Sequence, residues 1–330
     1  MCGIVAWAGK TPNKFNKAKF DLVGSYNEER GVHSCGVTTD GKIALGISNK
    51  KVFRDFIVNV GYENPKIIPT VIGHTRHATF GSHSADNAHP FGFGELNDGF
   101  KFVGVHNGSL LNHKKLATDF KIDLKINKRD KIDSEVLLDI VYKKKDFQVL
   151  NKYLGAAALV FQDLTSPNKI YCWHGASKKY ATDDNIKIWE ERPLYYYKET
   201  RNSLYISSMK NSLEAMCGND ETNGEFDHNT LYTIIDGNIE KAEKLKISRK
   251  DCHYLKTHDY DYFNNTQNNQ NKNKYNGYNR KKQECRIGQN FTLDGMLTED
   301  DMNDEEWYKH QGTMVPYKAS KNQKSYLHGF

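Results

Sequence analysis

Met1-Cys2-Gly3-Ile4-Val5-Ala6-Trp7-Ala8-Gly9 opens the chain and carries a structural and a chemical signal at once. From Cys2 to Ala8 it is an apolar run of strand length. Methionine before a small residue is commonly trimmed, which makes Cys2 the first residue and puts a thiol and a free α-amine on it. The amine has an ordinary pKa of about 7.7–8.0 and the thiol about 8.5, so near neutral pH the amine can accept the thiol proton. An N-terminal nucleophile thus brings its own general base, a task that otherwise needs a separate histidine. The alternative is a small buried hydrophobe at the start of a strand, and taken alone a cysteine there is more often that.

Downstream, the pattern alternates between short strands and helices. A helical spacing runs through Phe20, Val23 and Tyr26. Val37–Thr39 and Ile43–Ile47 flank Asp40-Gly41, a strong hairpin signal. Asn202-Ser203 before LYISS, and Asp236-Gly237 after LYTII, repeat the turn-plus-strand arrangement. Ala156–Phe161 and Ile170–Trp173 suggest another antiparallel pair around Ser166-Pro167-Asn168. Ser134–Tyr142 reads as a helix with Asp133 at its N-cap. Hairpins in series interrupted by helices argue for α+β with antiparallel sheets, against a doubly wound parallel sheet.

The chain has 330 residues, 38% apolar and 27% charged, with a net charge of +6. No run reaches the ~18 apolar residues that a transmembrane helix needs. The opening lacks a basic n-region and is too short for a signal peptide, and Cys2 stands where N-myristoylation requires glycine. The six cysteines form no CxxC pairs, so neither a zinc ribbon nor a disulfide framework is expected. A cytoplasmic, reduced, soluble protein is the expectation. Asn264 to Gln283 holds eight Asn, three Gln and five Lys or Arg, with no acid or aliphatic residue. Such a composition cannot bury enough apolar surface to order itself, and it reads as a disordered linker. Asp294 to Glu306 then holds seven acids and no base. A solvated tail is the expectation for 242–330. Contact with nucleic acid is not expected, because no binding module surrounds Tyr275 and Tyr278.

Three polar clusters punctuate the apolar runs. Gly73-His74-Thr75-Arg76-His77-Ala78-Thr79-Phe80-Gly81 follows a strand-like VIG, and Asn87-Ala88-His89-Pro90 comes soon after. Val103-Gly104-Val105-His106-Asn107-Gly108 is an apolar run ending in a polar turn. Asn107-Gly108 fits a hairpin turn; it also fits an amide side chain and an open backbone N–H aimed at one point, as an oxyanion hole requires. Arg76 offers a planar fork for a carboxylate and Asp133 an anion for an ammonium, the two charges that grip an amino acid by both ends. His74, His77, His83 and His89 are dense, but their spacing matches no metal cage and no HExxH motif accompanies them, so no metal or cofactor is expected.

Together these segments resemble class II glutamine amidotransferases, whose glutaminase domain belongs to the N-terminal nucleophile hydrolases. MCGIVAWAG is similar to the family's MCGIxG start, and Arg30-Gly31-Val32-His33-Ser34-Cys35-Gly36 to its RGxDSxG segment. HTRHATFG with NAHP looks like HTRWATHG…NAHPH, HNG is intact, and Asp133-Ser134-Glu135 looks like DTE. The resemblance covers about residues 2–241 and implies a four-layer αββα sandwich of two antiparallel sheets. It further implies that Cys2 attacks the glutamine side-chain amide to form a thioester and release ammonia, with Asn107 and the Gly108 N–H stabilising the oxyanion. By the same resemblance Arg76 and Thr79 hold the α-carboxylate. Asp133 and the Gly108 carbonyl take the α-ammonium, and Arg30 and His89 support the surrounding loops. Four positions depart from the family: His33 for Asp, His77 for Trp, Phe80 for His and Phe91 for the last His of NAHPH.

L-Glutamine is therefore the expected substrate. Residues 242–330 lack a glycine-rich phosphate loop and the apolar content of a synthetase, isomerase or transferase domain, so the expected ammonia acceptor is an enzyme on another chain. Two other readings stand beside this one: a catalytically idle scaffold on the same fold, and an N-terminal nucleophile amidase acting on a different amide.

Overall fold

Gly3–Gly9 forms a strand, β1, buried along its whole length. The computed structural model describes residues 2–47, 53, 62–78, 84–96, 99–126, 129–145, 147–175, 178–181, 187–218 and 223–245. The expectations for the 264–283 linker, the acidic stretch, Thr79, Phe80 and His83 lie outside the described residues.

After β1 come α1 (Lys17–Asn27), β2 (Ser34–Thr39), β3 (Lys42–Ile47) and β4 (Thr70–Arg76). Then follow β5 (Phe91–Phe93), β6 (Phe102–Gly108), α2 (His113–Phe120), β7 (Lys125–Ile126), β8 (Arg129–Asp130) and α3 (Asp133–Lys144). The next strands are β9 (Ala157–Asp163), β10 (Lys169–Gly175), β11 (Lys178–Ala181), β12 (Lys187–Glu190), β13 (Tyr195–Thr200) and β14 (Ser203–Ser207). The described fold ends with α4 (Lys210–Cys217), β15 (Asn223–Glu225), β16 (Thr230–Ile235) and β17 (Asn238–Lys244).

The strands assemble into a seven-stranded sheet, β15-β13-β14-β1-β4-β2-β3, and a six-stranded sheet, β17-β16-β10-β9-β6-β5. Strand periodicity explains why they stack. Ile4, Ala6 and Ala8 of β1 join Ile72, Leu204 and Ile206 of their own sheet in one core cluster. That cluster also contains Val103, Val105, Ala158, Val160, Ile170 and Ile234 of the other sheet. Val5 and Trp7, pointing the opposite way, pack with Phe20 and Val23 of α1 and Leu213 of α4. On the far side of the six-stranded sheet, Phe102, Leu159, Phe161 and Trp173 meet Leu116 of α2 and Val136, Leu137 and Ile140 of α3. Three cores between four layers make the expected αββα sandwich. Each large apolar side chain so buried contributes roughly 1.5–3 kcal/mol. Trp7 keeps its indole N–H satisfied by donating to Ser203 Oγ at 2.9 Å.

The hairpins fall where the turn residues indicate. Asp40 and Gly41 take φ of 50° and 78°, and Asp236 and Gly237 take 51° and 74°; these left-handed turns match the twist of the strands they join. Two boundaries differ from expectation. Helix α3 begins at Asp133 itself, with Ile132 as N-cap. The Asp133 carboxylate is turned instead to the Leu110 N–H, at 2.8 Å, and Glu135 Oε2 accepts the Ile132 N–H at 3.0 Å. At the other end, β17 carries the six-stranded sheet past residue 241 to Lys244.

Candidate active site

The start of β1 and the end of β4 lie side by side, because Gly3 pairs with Thr75 in their antiparallel register. A Cβ built on Gly3 would lie 2.6 Å from Asn27 Cβ and Thr75 Oγ1. Only glycine lets the chain pass there. Beyond this pinch, Cys2 is half-buried, and its Sγ sits between the backbone N–H and C=O of His77, at 3.4 and 3.5 Å. Burial pushes the thiol pKa up, and the Asp133 charge pushes the same way; the His77 N–H and the Arg76 charge pull it down without reversing the shift. A thiol in that state needs a base at hand.

Arg76 ends β4 and is buried. Burial lowers its guanidinium pKa, while the charges of Cys2 and Asp133 favour the cation. Cys2, Arg76 and Asp133 are therefore electrostatic neighbours, drawn from β1, β4 and α3. Arg30 feels Cys2 as well, and its Nη1 donates to the Ser208 carbonyl at 2.6 Å. Ser208 in turn exchanges bonds with Ile4: its Oγ accepts the Ile4 N–H at 3.1 Å and its N–H donates to the Ile4 carbonyl at 2.9 Å. Arg30 thus clamps the start of β1, the strand that follows Cys2.

Asn107 and Gly108 close β6 in the other sheet. Asn107 is 1% exposed, and its side-chain Nδ2 is buried without a hydrogen-bond acceptor. An orphaned buried amide donor costs about 1–3 kcal/mol and calls for an explanation. The two sheets meet at this level, since His74 Nε2, two residues before Arg76, donates to the His106 carbonyl at 3.2 Å.

The departures at positions 33 and 77 form a pair. The His33 ring stacks on His77 with centroids 4.6 Å apart, and His33 Nδ1 accepts the Ala78 N–H at 2.8 Å. The His33 N–H donates to the Arg76 carbonyl at 3.0 Å. These bonds fasten the start of the segment that leads to Thr79. His89 lies against His74 at 4.2 Å and edge-on to Phe91 at 4.6 Å. Burial holds all three inner histidines neutral: His74 is pushed down to about 3, His106 to about 4, and His89 well below its ordinary value. Among the described residues no group of three or more histidines, cysteines or acids gathers as metal ligands.

Other residues at this end escaped sequence reasoning. His106 Nδ1 is bonded to Ser134 Oγ and its Nε2 to the Tyr153 hydroxyl, both at 2.8 Å. The Arg192 charge acts on Arg30, His106 and Tyr153. His106 lies inside a motif and was visible; Tyr153 and Arg192 carry no local signal.

Residues 74–215 match the family model of the glutamine amidotransferase domain. The chain is 29% identical over 181 residues to a glutamine–fructose-6-phosphate aminotransferase (isomerizing) of Aquifex aeolicus, covering 52% of this chain and 28% of that protein. It is 38% identical over 147 residues to the protein of the same name from Methanosarcina acetivorans, covering 43% and 22%. The matches thus span about a quarter of the length of those relatives. Among solved structures, the glutamine phosphoribosylpyrophosphate amidotransferase of B. subtilis superposes with a TM-score of 0.54 at 19% identity, over 76% of this chain and 50% of that one. That likeness is one of fold. With the αββα sandwich, the MCG start and the HNG strand end already in hand, the chain resembles glutamine amidotransferases in sequence over residues 74–215 and in the fold of its sandwich.

Proposed function

We propose that this protein hydrolyses the side-chain amide of L-glutamine through Cys2, giving glutamate and ammonia, and hands the ammonia to an acceptor enzyme on another chain. The observation that carries the reading is Asn107, whose buried Nδ2 has no acceptor at the end of the molecule where Cys2, Arg76 and Asp133 act on one another.

With Met1 removed, the α-amine of Cys2 takes the thiol proton. The thiolate attacks the amide carbon, and the oxyanion that develops is received by Asn107 Nδ2 and the Gly108 N–H. The amine returns the proton to the leaving nitrogen, ammonia departs, and water then cleaves the thioester to glutamate. Arg76 and Thr79 hold the substrate α-carboxylate; Asp133 and the Gly108 carbonyl hold its α-ammonium. Arg30 keeps the nucleophile strand in place, and His89 fills the space behind His74. Residues 2–241, extended to the end of β17 at Lys244, form the glutaminase unit in this reading, and the residues beyond it serve contacts with the acceptor.

The test is glutamate release by the purified full chain, followed with and without proteins recovered from its host. Chains that bind glutamine and never cleave it would reduce the domain to a scaffold. Release of ammonia from another amide in preference to glutamine would reassign the substrate.

A further inference from the structure

His106 precedes the proposed oxyanion residue Asn107, and three of its polar atoms are engaged. Its carbonyl accepts from His74, two residues before Arg76. Its Nδ1 meets Ser134, the neighbour of Asp133, at 2.8 Å. Its Nε2 meets Tyr153 at 2.8 Å. One residue, through its carbonyl and its imidazole, therefore ties together the strands and helix that present the oxyanion donors, the carboxylate fork and the ammonium acceptor.

We propose that Tyr153 is the positioning residue that fixes this imidazole and, through it, the Asn107-Gly108 strand end. Tyr153 is fully buried, with its ring tilted against Trp173 at 5.7 Å and edge-on to His106 at 5.8 Å. Burial raises its phenol pKa well above the ordinary value, so it stays protonated, and burial keeps His106 neutral. A neutral imidazole offers one donor and one acceptor, and the two hydroxyls on either side satisfy both. The hydroxyl also stands directly behind the oxyanion strand. A Cβ built on Gly108 would lie 2.9 Å from the Tyr153 oxygen, 2.8 Å from His106 Nε2 and 2.5 Å from the Ala156 carbonyl. Gly108 has no room for a side chain there, and the Tyr153 hydroxyl and the His106 imidazole lie on that side of the strand end. Preorganised donors act on the transition state without having to reorganise, so loosening them lowers kcat more than it raises KM.

The inference rests on the glutaminase reading above. Its test is steady-state kinetics of full-length wild type, Tyr153→Phe, Ser134→Ala and the double variant. Rates are normalised to the fraction of chains alkylated at the thiol by a diazoketone analogue of glutamine. Tyr153→Phe should lower kcat roughly 3- to 10-fold, the worth of one buried hydrogen bond, with KM for glutamine within about twofold. Because both bonds act through His106, the double variant should lose less than the product of the single losses. Unchanged kcat in Tyr153→Phe, a rise in KM alone, or fully multiplicative losses would overturn the proposal. So would a rate loss that vanishes on normalisation, since that reports only unfolded chains. A wild type that cleaves no glutamine would instead bring down the reading on which the proposal rests.

Discussion

The two ends of the sheets obey different rules. At the turn end, the Asp40 carboxylate accepts the N–H groups of Lys66, Ile67 and Ile68 at 2.8, 3.1 and 2.7 Å and Asn238 Nδ2 donates to Asn202 Oδ1 at 3.0 Å, while Thr38 Oγ1 is buried there without a partner. At the nucleophile end, Asn107 Nδ2, His74 Nδ1 and both ring nitrogens of His89 are buried without partners. The Cys2 end gathers more such atoms than a stability-optimised core would carry.

The largest expected break in that contrast is at position 2. Cys2→Ala should abolish glutamate release while leaving the sandwich folded, because among the described residues Sγ makes only long contacts, to the His77 backbone. Intact-mass measurement on active protein should show a chain that begins at Cys2; activity in chains that retain Met1 would remove the α-amine from the mechanism.

Next come the residues proposed for the oxyanion and the carboxylate. Asn107→Ala should lower kcat by roughly 10²–10³ with little change in KM, since its bond forms chiefly in the transition state. Arg76→Ala should mainly raise KM, as it removes a contact made to bound substrate as well. Initial rates across glutamine concentration separate the two, and the reverse pattern would exchange their roles.

A smaller effect follows from the buried histidines. His74 and His106 are held down to about 3 and about 4, whereas an unfolded imidazole titrates near 6.5. Between those values the unfolded chain binds the extra protons, so this contribution to stability is complete above about pH 7 and is lost as pH falls. Each histidine should account for about 1.4 kcal/mol of loss by pH 5.5. Urea midpoints at pH 8, 6.5 and 5.5 measure it; equal midpoints would show that these rings are hydrated and not held neutral.

How much of this was legible in the sequence follows the same division. The turn end was readable because Asp40-Gly41 and Asp236-Gly237 act through their own φ values, which a dipeptide can declare. At the Cys2 end the sequence pointed only where motifs stand, at Cys2, Arg76, Asn107 and Asp133, the residues to which the proposal assigns roles. Tyr153 was hidden because its partner His106 lies 47 positions away and is reached only once α3 and β6 have packed. Asp133 was read as a helix cap for a related reason: local spacing suggested its own helix, whereas its carboxylate serves the Leu110 N–H in a different segment.

The smallest expected effect tests whether the two ends are independent. Asp40→Asn keeps a side chain that tolerates the left-handed φ of 50° and can still accept through Oδ1, but it loses the charge and the second acceptor oxygen. The three backbone donors it serves lie at 66–68, just before β4 begins at Thr70. Thermal or urea unfolding should therefore register a loss of about 1 kcal/mol, the difference between charged and neutral hydrogen bonding. Strand β4 then runs seven residues to Arg76, paired on both edges with β1 and β2, and such a ladder does not transmit a small change at one end into a shift at the other. Glutamine kcat and KM should stay at their wild-type values. A change in KM would mean that the 66–68 segment sets the position of Arg76 along its strand, and the turn end would have to be counted as part of the binding machinery.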